Sequence, residues 1–384
     1  MPTTYHPGRS KPPVTPPPTQ NSPRRILLIR PSALGDVCRT VPVLVSLKRA
    51  FPGAEVDWLV QDSFAAAVAH HPDLNGVVPF PRAALARWFS RPAVFRRAVE
   101  FLVDLGRRRY DMVIDCQGLL RSGLFTLATR APVRVGYANA EELGWLGYNR
   151  RADVPRAMHT VDRMLALAEH AGAPAVRDMR LYPPPDDRER VASDPDLAGR
   201  RYAVLAPTSR WPGKRWPIER FAELARAMLD GGLGGFDAVV VVGSRGEREQ
   251  CGPLLALASA GGAGSSPRLL DRVGATTVGG LMALIERASL VIANDSAALH
   301  MAVGLDRPAI GLYGPTDLAL VGPYRREGCA IQHVTPGDDL DHKNESAGRA
   351  LMERISVEEV LARVAEVAAI GEKRPDAAEA HGHV

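Results

Sequence analysis

Three residues that follow an apolar run, Asn294-Asp295-Ser296, have the types and spacing of a nucleotide-binding corner. Residues 290–293 predict a buried strand, and the small residues of 296–304 predict a helix that begins at once. In parallel α/β proteins such a corner lies at the carboxyl edge of the sheet, where ligands bind. Free N–H groups at the helix start favour phosphate. Asp295 could contact that ligand or only cap the helix, and both interpretations stay open here.

A second acidic corner follows the first apolar run of the chain, residues 25–30. In the loop Pro31-Ser32-Ala33-Leu34-Gly35-Asp36, Gly35 permits a tight turn and Asp36 stands at the start of the next predicted helix. A carboxylate at a cleft can accept the proton of a hydroxyl nucleophile, which is general-base chemistry. Helix capping is the alternative role for Asp36.

Hydroxyls and cations are concentrated in residues 207–217, after the first apolar run of the second half. Thr208, Ser209 and Lys214 suit a diphosphate, whose negative charge grows as it leaves a sugar. The alternative is a solvated basic loop, but Trp211 and Trp216 favour an ordered one.

Two more residues are candidates for the same site. Glu247 follows the apolar run 238–242 and could bind ribose hydroxyls, or it could be an exposed residue of a first helical turn. His300 lies on the helix after Asp295 and could face phosphate, although a single helical histidine is more often structural. The sequence has no GxGxxG after its first strand and no GxxxxGK[ST], so we expect no cofactor, and no metal site is expected either.

Two domains are needed to position these loops. In each half, apolar runs typical of strands alternate with helical spacing, which predicts an α/β fold of two doubly wound, Rossmann-like domains facing a central cleft. The predicted organisation is a disordered Pro-rich tail (1–23), an N-terminal domain (24–182), a linker (183–199), a C-terminal domain (200–355), a C-terminal helix (356–370) and a second disordered tail (371–384).

Composition limits the class of protein and of partner. The 384 residues are 46% hydrophobic and 24% charged, as in soluble globular proteins. The four cysteines are scattered, which argues against a disulfide framework or a zinc site. The excess of Lys and Arg over Asp and Glu lies in residues 24–182, whereas 200–370 is close to neutral. This asymmetry predicts an anionic partner for the first half. Nucleic acid is one candidate, but no nucleic-acid motif is present, and an anionic glycolipid or membrane surface fits as well.

Five segments together resemble glycosyltransferase family 9, the ADP-heptose:lipopolysaccharide heptosyltransferases. They occur in the order of the family: PSALGDV (31–37), YDMVIDCQGL (110–119), HTVDR (159–163), PGKRWP (212–217) and NDSAALH (294–300). The resemblance covers roughly residues 24–370. It implies a GT-B fold, an inverting reaction and no catalytic metal.

The resemblance also implies roles for single residues. Asp36 matches the proposed general base, Lys214 matches the lysine that holds the donor's diphosphate, and Glu247 matches an acidic residue thought to bind the ribose. This chain departs from the family pattern at Ala297, where Gly is usual, and at Arg39, which replaces a common His. The donor-binding candidates are Thr208, Ser209, Lys214, Glu247, Asp295, Ser296, Ala297 and His300, and the acceptor-binding candidates are Arg39, Arg121, Arg134 and Arg163.

The function implied is transfer of heptose from ADP-L-glycero-D-manno-heptose, held by the second domain, to a lipopolysaccharide inner-core acceptor, an anionic glycolipid held by the first. One alternative is a family 9 transferase with another nucleotide-sugar or a protein acceptor. Another is a non-catalytic nucleotide-sugar-binding protein, which would need no base such as Asp36 opposite its ligand. No nucleic-acid partner is expected. The expected location is the cytoplasm, with peripheral contact at the cytoplasmic face of the inner membrane left open.

Overall fold

Two parallel six-stranded sheets form the framework of the computed structural model, which describes residues 22–85, 91–230, 233–260 and 268–372. In these ranges all strand pairs are parallel. The first sheet contains β1 (Arg25–Ile29), β2 (Glu55–Gln61), β3 (Gly76–Phe80), β4 (Met112–Asp115), β5 (Val133–Tyr137) and β6 (Arg150–Ala152). The second contains β7 (Tyr202–Ala206), β8 (Ala238–Val241), β9 (Arg268–Asp271), β10 (Leu290–Asn294), β11 (Ala309–Tyr313) and β12 (Ala330–Gln332).

Both sheets are wound in the same way. The first has the order β3-β2-β1-β4-β5-β6 and the second the order β12-β11-β10-β7-β8-β9. The winding direction reverses between β1 and β4 in the first sheet and between β7 and β10 in the second. Ligands of doubly wound sheets bind at the carboxyl ends of the strands beside such a reversal. The predicted fold of two doubly wound α/β domains is confirmed.

Helices cover both faces of each sheet, and this explains why the central strands are continuous apolar runs. Every residue of β7 and β8 is buried. The helices of the first half are α1 (Leu34–Ala50), α2 (Pro92–Arg107), α3 (Leu120–Ala128) and α4 (Thr160–His170). Those that follow are α5 (Pro185–Ala192), α6 (Ile218–Asp230), α7 (Gly252–Ala260), α8 (Val278–Arg287), α9 (Ala297–Gly304), α10 (Leu318–Val321), α11 (Glu345–Glu353) and α12 (Val357–Glu372).

The structure differs from the sequence expectation in several short elements. Strands β6 and β12 have three residues each, too few to show a pattern. The helix expected near residue 247 begins as a 3₁₀ turn, Arg245–Cys251, before α7. The segment 183–199, expected as a linker, contains α5, which packs on α8. The expected tails, 1–23 and 371–384, lie almost entirely outside the described residues. No helix in the described ranges has the length and apolarity that crossing a bilayer requires.

The two halves meet along α1 and α9. Buried apolar residues of both helices, among them Val37 and Val41 of α1 and Leu299 and Met301 of α9, belong to one hydrophobic cluster that extends from the first sheet to the second. Each of these helices begins directly after a strand at a reversal point, so their contact brings the two carboxyl edges face to face.

Candidate functional site

Four loops converge where α1 and α9 begin. Asp36 lies just past the loop after β1, in the first turn of α1, and Gln117 lies in the loop after β4; the loops after β7 and β10 contain Lys214 and Asp295. All four strands flank the winding reversals of their sheets. The structure therefore places the two acidic corners found in the sequence at equivalent points of the two domains, as the doubly wound fold requires.

Asp36 is surrounded by cations in the first turn of α1. Its carboxylate accepts from Arg30 at 2.7 Å and from Arg39 at 2.5 Å, and it also accepts the backbone N–H of Ala33 at 3.2 Å. Burial alone raises the pKa of Asp36, but the two guanidinium charges and their hydrogen bonds outweigh it and hold that pKa well below its usual range. Asp36 is therefore ionised, and it caps the helix while facing the cleft.

Arg39 crosses from one domain to the other. While its Nη2 contacts Asp36, its Nη1 donates to the carbonyl of Val321 at 2.9 Å. Two residues that follow Val321 make further contacts between the domains. His159 Nε2 donates to the Gly322 carbonyl at 3.1 Å, and the Tyr324 hydroxyl donates to Asp162 at 2.7 Å. We call residues 321–324 the strap. The sequence placed Arg39 on the acceptor, whereas its contacts here are with Asp36 and the strap.

On the side of the cleft that faces Asp36, Asp295 pairs with Lys214 of the same domain. Lys214 Nζ lies 2.6 Å from Asp295 Oδ2, and the Thr316 hydroxyl donates to the same oxygen at 3.0 Å. Burial raises the pKa of Asp295, but the positive charge of Lys214 outweighs it, so that pKa lies below its usual value. The two side chains are only 9% and 15% exposed, so this charged pair is shielded from bulk water.

The start of α9 is not capped by the side chains that precede it. Ser296 occupies the N-cap position without a capping hydrogen bond, and its buried hydroxyl has no partner within the described ranges. Asp295 accepts from Lys214 and Thr316 instead. The capping interpretation therefore fails here, and the first N–H groups of α9 remain available to an anion.

His300 and Gly35 form the contact between the two helix starts. A Cβ atom built on Gly35 would lie 3.0 Å from His300 Cδ2 and 3.6 Å from the Cα of Ala297. Burial and the nearby charge of Arg39 lower the pKa of His300 to about 3, so its imidazole is neutral at pH 7. Gly35 is thus needed for a close approach that places Asp36 next to the first turn of α9.

The loop that carries Lys214 is ordered, as its tryptophans indicate. The Asn294 side chain accepts the Trp216 N–H at 3.1 Å and donates to the Pro207 carbonyl at 2.6 Å. Trp216 is buried and donates through Nε1 to the Ile355 carbonyl at 2.9 Å. Behind the loop, a Cβ on Gly348 of α11 would lie only 2.6 Å from the Gly213 carbonyl oxygen. The expectation of an ordered loop is confirmed.

Thr208, Ser209 and Glu247 lie together at the carboxyl ends of β7 and β8. Glu247 Oε2 accepts from the Thr208 hydroxyl at 3.2 Å, and from the N–H and hydroxyl of Ser244 at 2.9 and 2.7 Å. Thr208 and Ser209 are buried. Glu247 is thus hydrogen-bonded in the first turn of the 3₁₀ segment Arg245–Cys251, and it also borders the predicted donor site.

The predicted acceptor arginines differ in their placement. The guanidinium of Arg121 lies 5.7 Å from the Phe80 ring centre and that of Arg163 lies 5.0 Å from the Tyr137 ring centre, both at the carboxyl edge of the first sheet. Arg134 stands near the amino end of β5, where it donates to the carbonyls of residues 147 and 131. The structure does not bring Arg134 to the cleft.

Sequence reasoning missed the roles of Arg30, Asn294 and Thr316. Arg30 and Asn294 stand at the ends of apolar runs, the positions at which Asp36 and Asp295 were noticed, and that position was the available signal. Among the described residues no three His, Cys, Asp or Glu side chains are grouped as a metal site requires.

Comparison with known proteins yields a family and several relatives. The model of the family described as glycosyltransferase family 9 (heptosyltransferase) matches residues 99–347. Lipopolysaccharide heptosyltransferase 1 of Pseudomonas aeruginosa is 32% identical over 319 residues, which are 79% of this chain and 82% of that protein. Lipopolysaccharide heptosyltransferase 1 of Escherichia coli (strain K12) is 28% identical, over 86% of this chain and 99% of that protein.

Solved structures show the same architecture. The E. coli heptosyltransferase WaaC with ADP-2-deoxy-2-fluoro heptose is 27% identical, with a TM-score of 0.64 over 86% of this chain and 99% of that one. The E. coli ADP-heptose lps heptosyltransferase II is 21% identical, with a TM-score of 0.73 over 91% of this chain and 99% of that one. The fold is therefore GT-B, as the sequence resemblance implied.

Proposed function

Because the chain belongs to glycosyltransferase family 9, we propose that it transfers heptose from ADP-L-glycero-D-manno-heptose to an anionic inner-core sugar of lipopolysaccharide. The observation that carries this proposal is the meeting of two chemical groups across one cleft. Asp36 stands at the start of α1, the Lys214–Asp295 pair stands at the start of α9, and Gly35 touches α9 between them. A glycosyl transfer needs a base for the acceptor hydroxyl and a site for the leaving diphosphate on opposite sides of the reacting carbon.

The second domain would hold the donor. We propose that the diphosphate binds the uncapped N–H groups of α9, together with the Ser296 hydroxyl and Lys214. Among the residues that the structure describes, the buried Ser296 hydroxyl has no partner, and this supports the proposal, because a buried polar atom is normally satisfied. Thr208 and Ser209 would line the same edge, and Glu247 would bind the ribose hydroxyls. Ala297, where the family usually has Gly, lies in the first turn that the diphosphate would approach.

The reaction would proceed with inversion and without a metal. Asp36 accepts the proton of the acceptor hydroxyl, whose oxygen bonds to the anomeric carbon while the bond to ADP breaks. The electron pair of that bond moves to the departing phosphate oxygen, where Lys214 and the start of α9 meet the growing charge. In the free protein Arg30 and Arg39 depress the proton affinity of Asp36. We propose that anionic groups of the substrates attract these guanidiniums and restore the basicity of Asp36.

The first domain would bind the acceptor. Arg121 and Arg163 lie at its carboxyl edge and are suited to carboxylates or phosphates of a core sugar. Arg134, which is engaged at the other end of β5, is not part of this proposal. We propose the cytoplasm as the location, with the first domain next to the inner membrane that carries the acceptor.

A donor screen tests the function. Purified protein is incubated with ADP-heptose, ADP-glucose or UDP-sugars, with and without a core glycolipid and with EDTA, and release of nucleotide diphosphate is measured. We expect acceptor-dependent ADP release from ADP-heptose only, unchanged by EDTA, and a product whose anomeric configuration by NMR is opposite to that of the donor. Efficient use of another donor would support a different family 9 transferase, and binding without turnover would support a non-catalytic protein.

The variant Asp295→Ala tests the donor corner separately. It removes the carboxylate that holds Lys214 and Thr316 in place. Because Lys214 is then no longer positioned for the diphosphate, we expect weaker ADP binding by calorimetric titration. An unchanged affinity would mean that the corner is structural.

A further inference from the structure

Exposed apolar side chains are concentrated on one face of the first domain. In the part of the chain that the structure describes, ten large apolar side chains are strongly exposed, and eight of them lie on α2, on α3, or within or directly before the 3₁₀ turn Gly144–Gly147. These three elements are neighbours in space. The eight residues, which we call the apolar face, are Phe95, Val99, Val103, Leu120, Leu124, Leu127, Leu143 and Leu146.

Helix α2 is apolar on two adjacent sides. One side, which includes Phe101, Leu102 and Leu105, packs on the core of the first domain. Val99 and Val103, one helical turn apart, belong to the next side and are 40% and 45% exposed. A helix at the surface of a soluble protein needs only one apolar side, so the core does not explain the second.

Helix α3 continues the apolar face toward the cleft. Leu120, Leu124 and Leu127 follow helical spacing and are 40–49% exposed, while Phe125 of the same helix points into the core. Because α3 begins after β4, its first turn borders the carboxyl edge of the first sheet. The apolar face is therefore continuous with the side of the domain at which we placed the acceptor.

Arginines border the α2 side of this face. Helix α2 carries Arg96, Arg97 and Arg107, and Arg108 and Arg109 follow it. Only two acidic residues occur in α2, and each pairs with an arginine: Glu100 with Arg96 and Asp104 with Arg107, both at 3.3 Å. A surface cavity of about 600 Å³ between α2 and α3 combines Val99 and Val103 with Arg107, Arg109 and Arg130.

We propose that the apolar face is a membrane-docking surface whose partner is an anionic phospholipid bilayer. Apolar side chains on a helix that lies in the interface plane enter the acyl boundary, while arginines at their margin bind lipid phosphates. Charge complementarity favours this partner over a second copy of the chain, because a symmetric dimer through this face would bring its arginines together. The inference rests on the proposed function in one respect: docking would present a lipid-linked acceptor to the cleft.

Vesicle co-sedimentation tests the docking surface. The full chain is mixed with vesicles of phosphatidylcholine alone or with added phosphatidylglycerol. We expect binding to the anionic vesicles only. The variant Val99→Ser/Val103→Ser/Leu124→Ser should weaken it at least tenfold, and Arg96→Gln/Arg97→Gln should weaken it in a salt-dependent manner. The matched control is Val334→Ser/Leu340→Ser, which removes exposed apolar side chains from the second domain and should bind like the unmodified chain.

Two further measurements separate docking from the other possibilities. If the proposed function also holds, the triple variant should retain turnover on a delipidated acceptor and lose it on an acceptor embedded in vesicles. Vesicle binding that persists in a chain without transferase activity would refute the function and leave docking intact. Equal binding of the triple variant and the control would overturn docking. So would analytical ultracentrifugation that finds a dimer which the triple substitution dissociates.

Discussion

Replacing Gly348 with alanine should damage the donor site from behind. Gly348 lies in α11, and a Cβ there would meet the carbonyl oxygen, Cα and carbonyl carbon of Gly213 at 2.6, 2.7 and 2.9 Å. Ordinary contact begins at 3.4 Å, so the backbone of residues 212–214 has to move by about 0.8 Å to clear the shortest of these distances. All three atoms belong to the main chain, and no side-chain rotation can relieve the overlap. Because Lys214 is the next residue, its ammonium is displaced from Asp295.

The size of the effect follows from this displacement. Misplacing a catalytic contact by about 1 Å can cost roughly 100-fold in rate, so we expect the variant to lose about 10- to 100-fold in kcat/KM for the donor. Overpacking costs about 1–3 kcal/mol in stability, partly offset because alanine is a better helix former by up to about 1 kcal/mol. The protein should therefore fold, with a modestly lower Tm.

The assay compares three measurements on one preparation: ADP affinity by calorimetry, transfer rate at saturating donor, and KM for the acceptor. Gly252→Ala is the matched control, because this glycine is also in a helix and its Cβ would meet nothing within 4 Å. Affinity and rate should fall in Gly348→Ala and not in the control, while the acceptor KM changes little. If Gly348→Ala loses only thermal stability and keeps its ADP affinity and rate, the reasoning is refuted.

Three other predictions concern the two sides of the cleft. Asp36→Asn should reduce transfer by roughly 10²- to 10⁴-fold with little change in donor affinity, and near-normal turnover in a rate assay would leave Asp36 only its capping role. Lys214→Ala should reduce single-turnover transfer at saturating donor by on the order of 100-fold, and Lys214→Arg should recover only part of it; a normal saturated rate would show that Lys214 only binds. His300 has a pKa of about 3 in the folded chain, below its ordinary value of 6.5. Between these two pH values the proton binds mainly to the unfolded chain, so the stability that neutral His300 contributes is complete above pH 6.5 and is lost as the pH falls. Chemical denaturation at several pH values should therefore show, between pH 6 and 4, a slope that is smaller in His300→Gln by about 1.4 kcal/mol per pH unit; equal slopes would mean that His300 is not buried as a neutral ring.

Much of the fold was predictable because its signals are local. The apolar runs of β1, β7 and β10 and the small residues of α9 predicted buried strands and a helix, and these follow directly from covering a parallel sheet on both faces. The loops that end these strands were predictable for the same reason. Strands β6 and β12 were not, because three residues that pair at a sheet margin leave no periodic pattern.

The hydrogen bonds and ion pairs between residues far apart in the sequence could not be predicted. Asp36 was identified, but nothing local shows that Arg30 and Arg39 would both bind it or that Arg39 would also reach the strap. The amide of Asn294 holds the loop of Lys214 through contacts that span about 80 residues of chain, and the amino acid sequence shows only an asparagine at a strand end. Arg134 is the opposite case. An arginine can bind an anionic acceptor, but the β4–β5 register places Arg134 near the amino end of β5, away from the cleft.

The double attachment of Arg39 makes proton binding and domain position a single thermodynamic system. Its guanidinium joins Asp36 of one domain to the Val321 carbonyl of the other, so a domain movement that shifts Arg39 would change the field at the carboxylate, and protonating the carboxylate would weaken one of the two attachments of Arg39. By reciprocity, each influence must equal the other in free energy. A donor that draws the domains closer would then change the pKa of Asp36 without contacting it. The proton affinity of the base would depend on how far the cleft has closed.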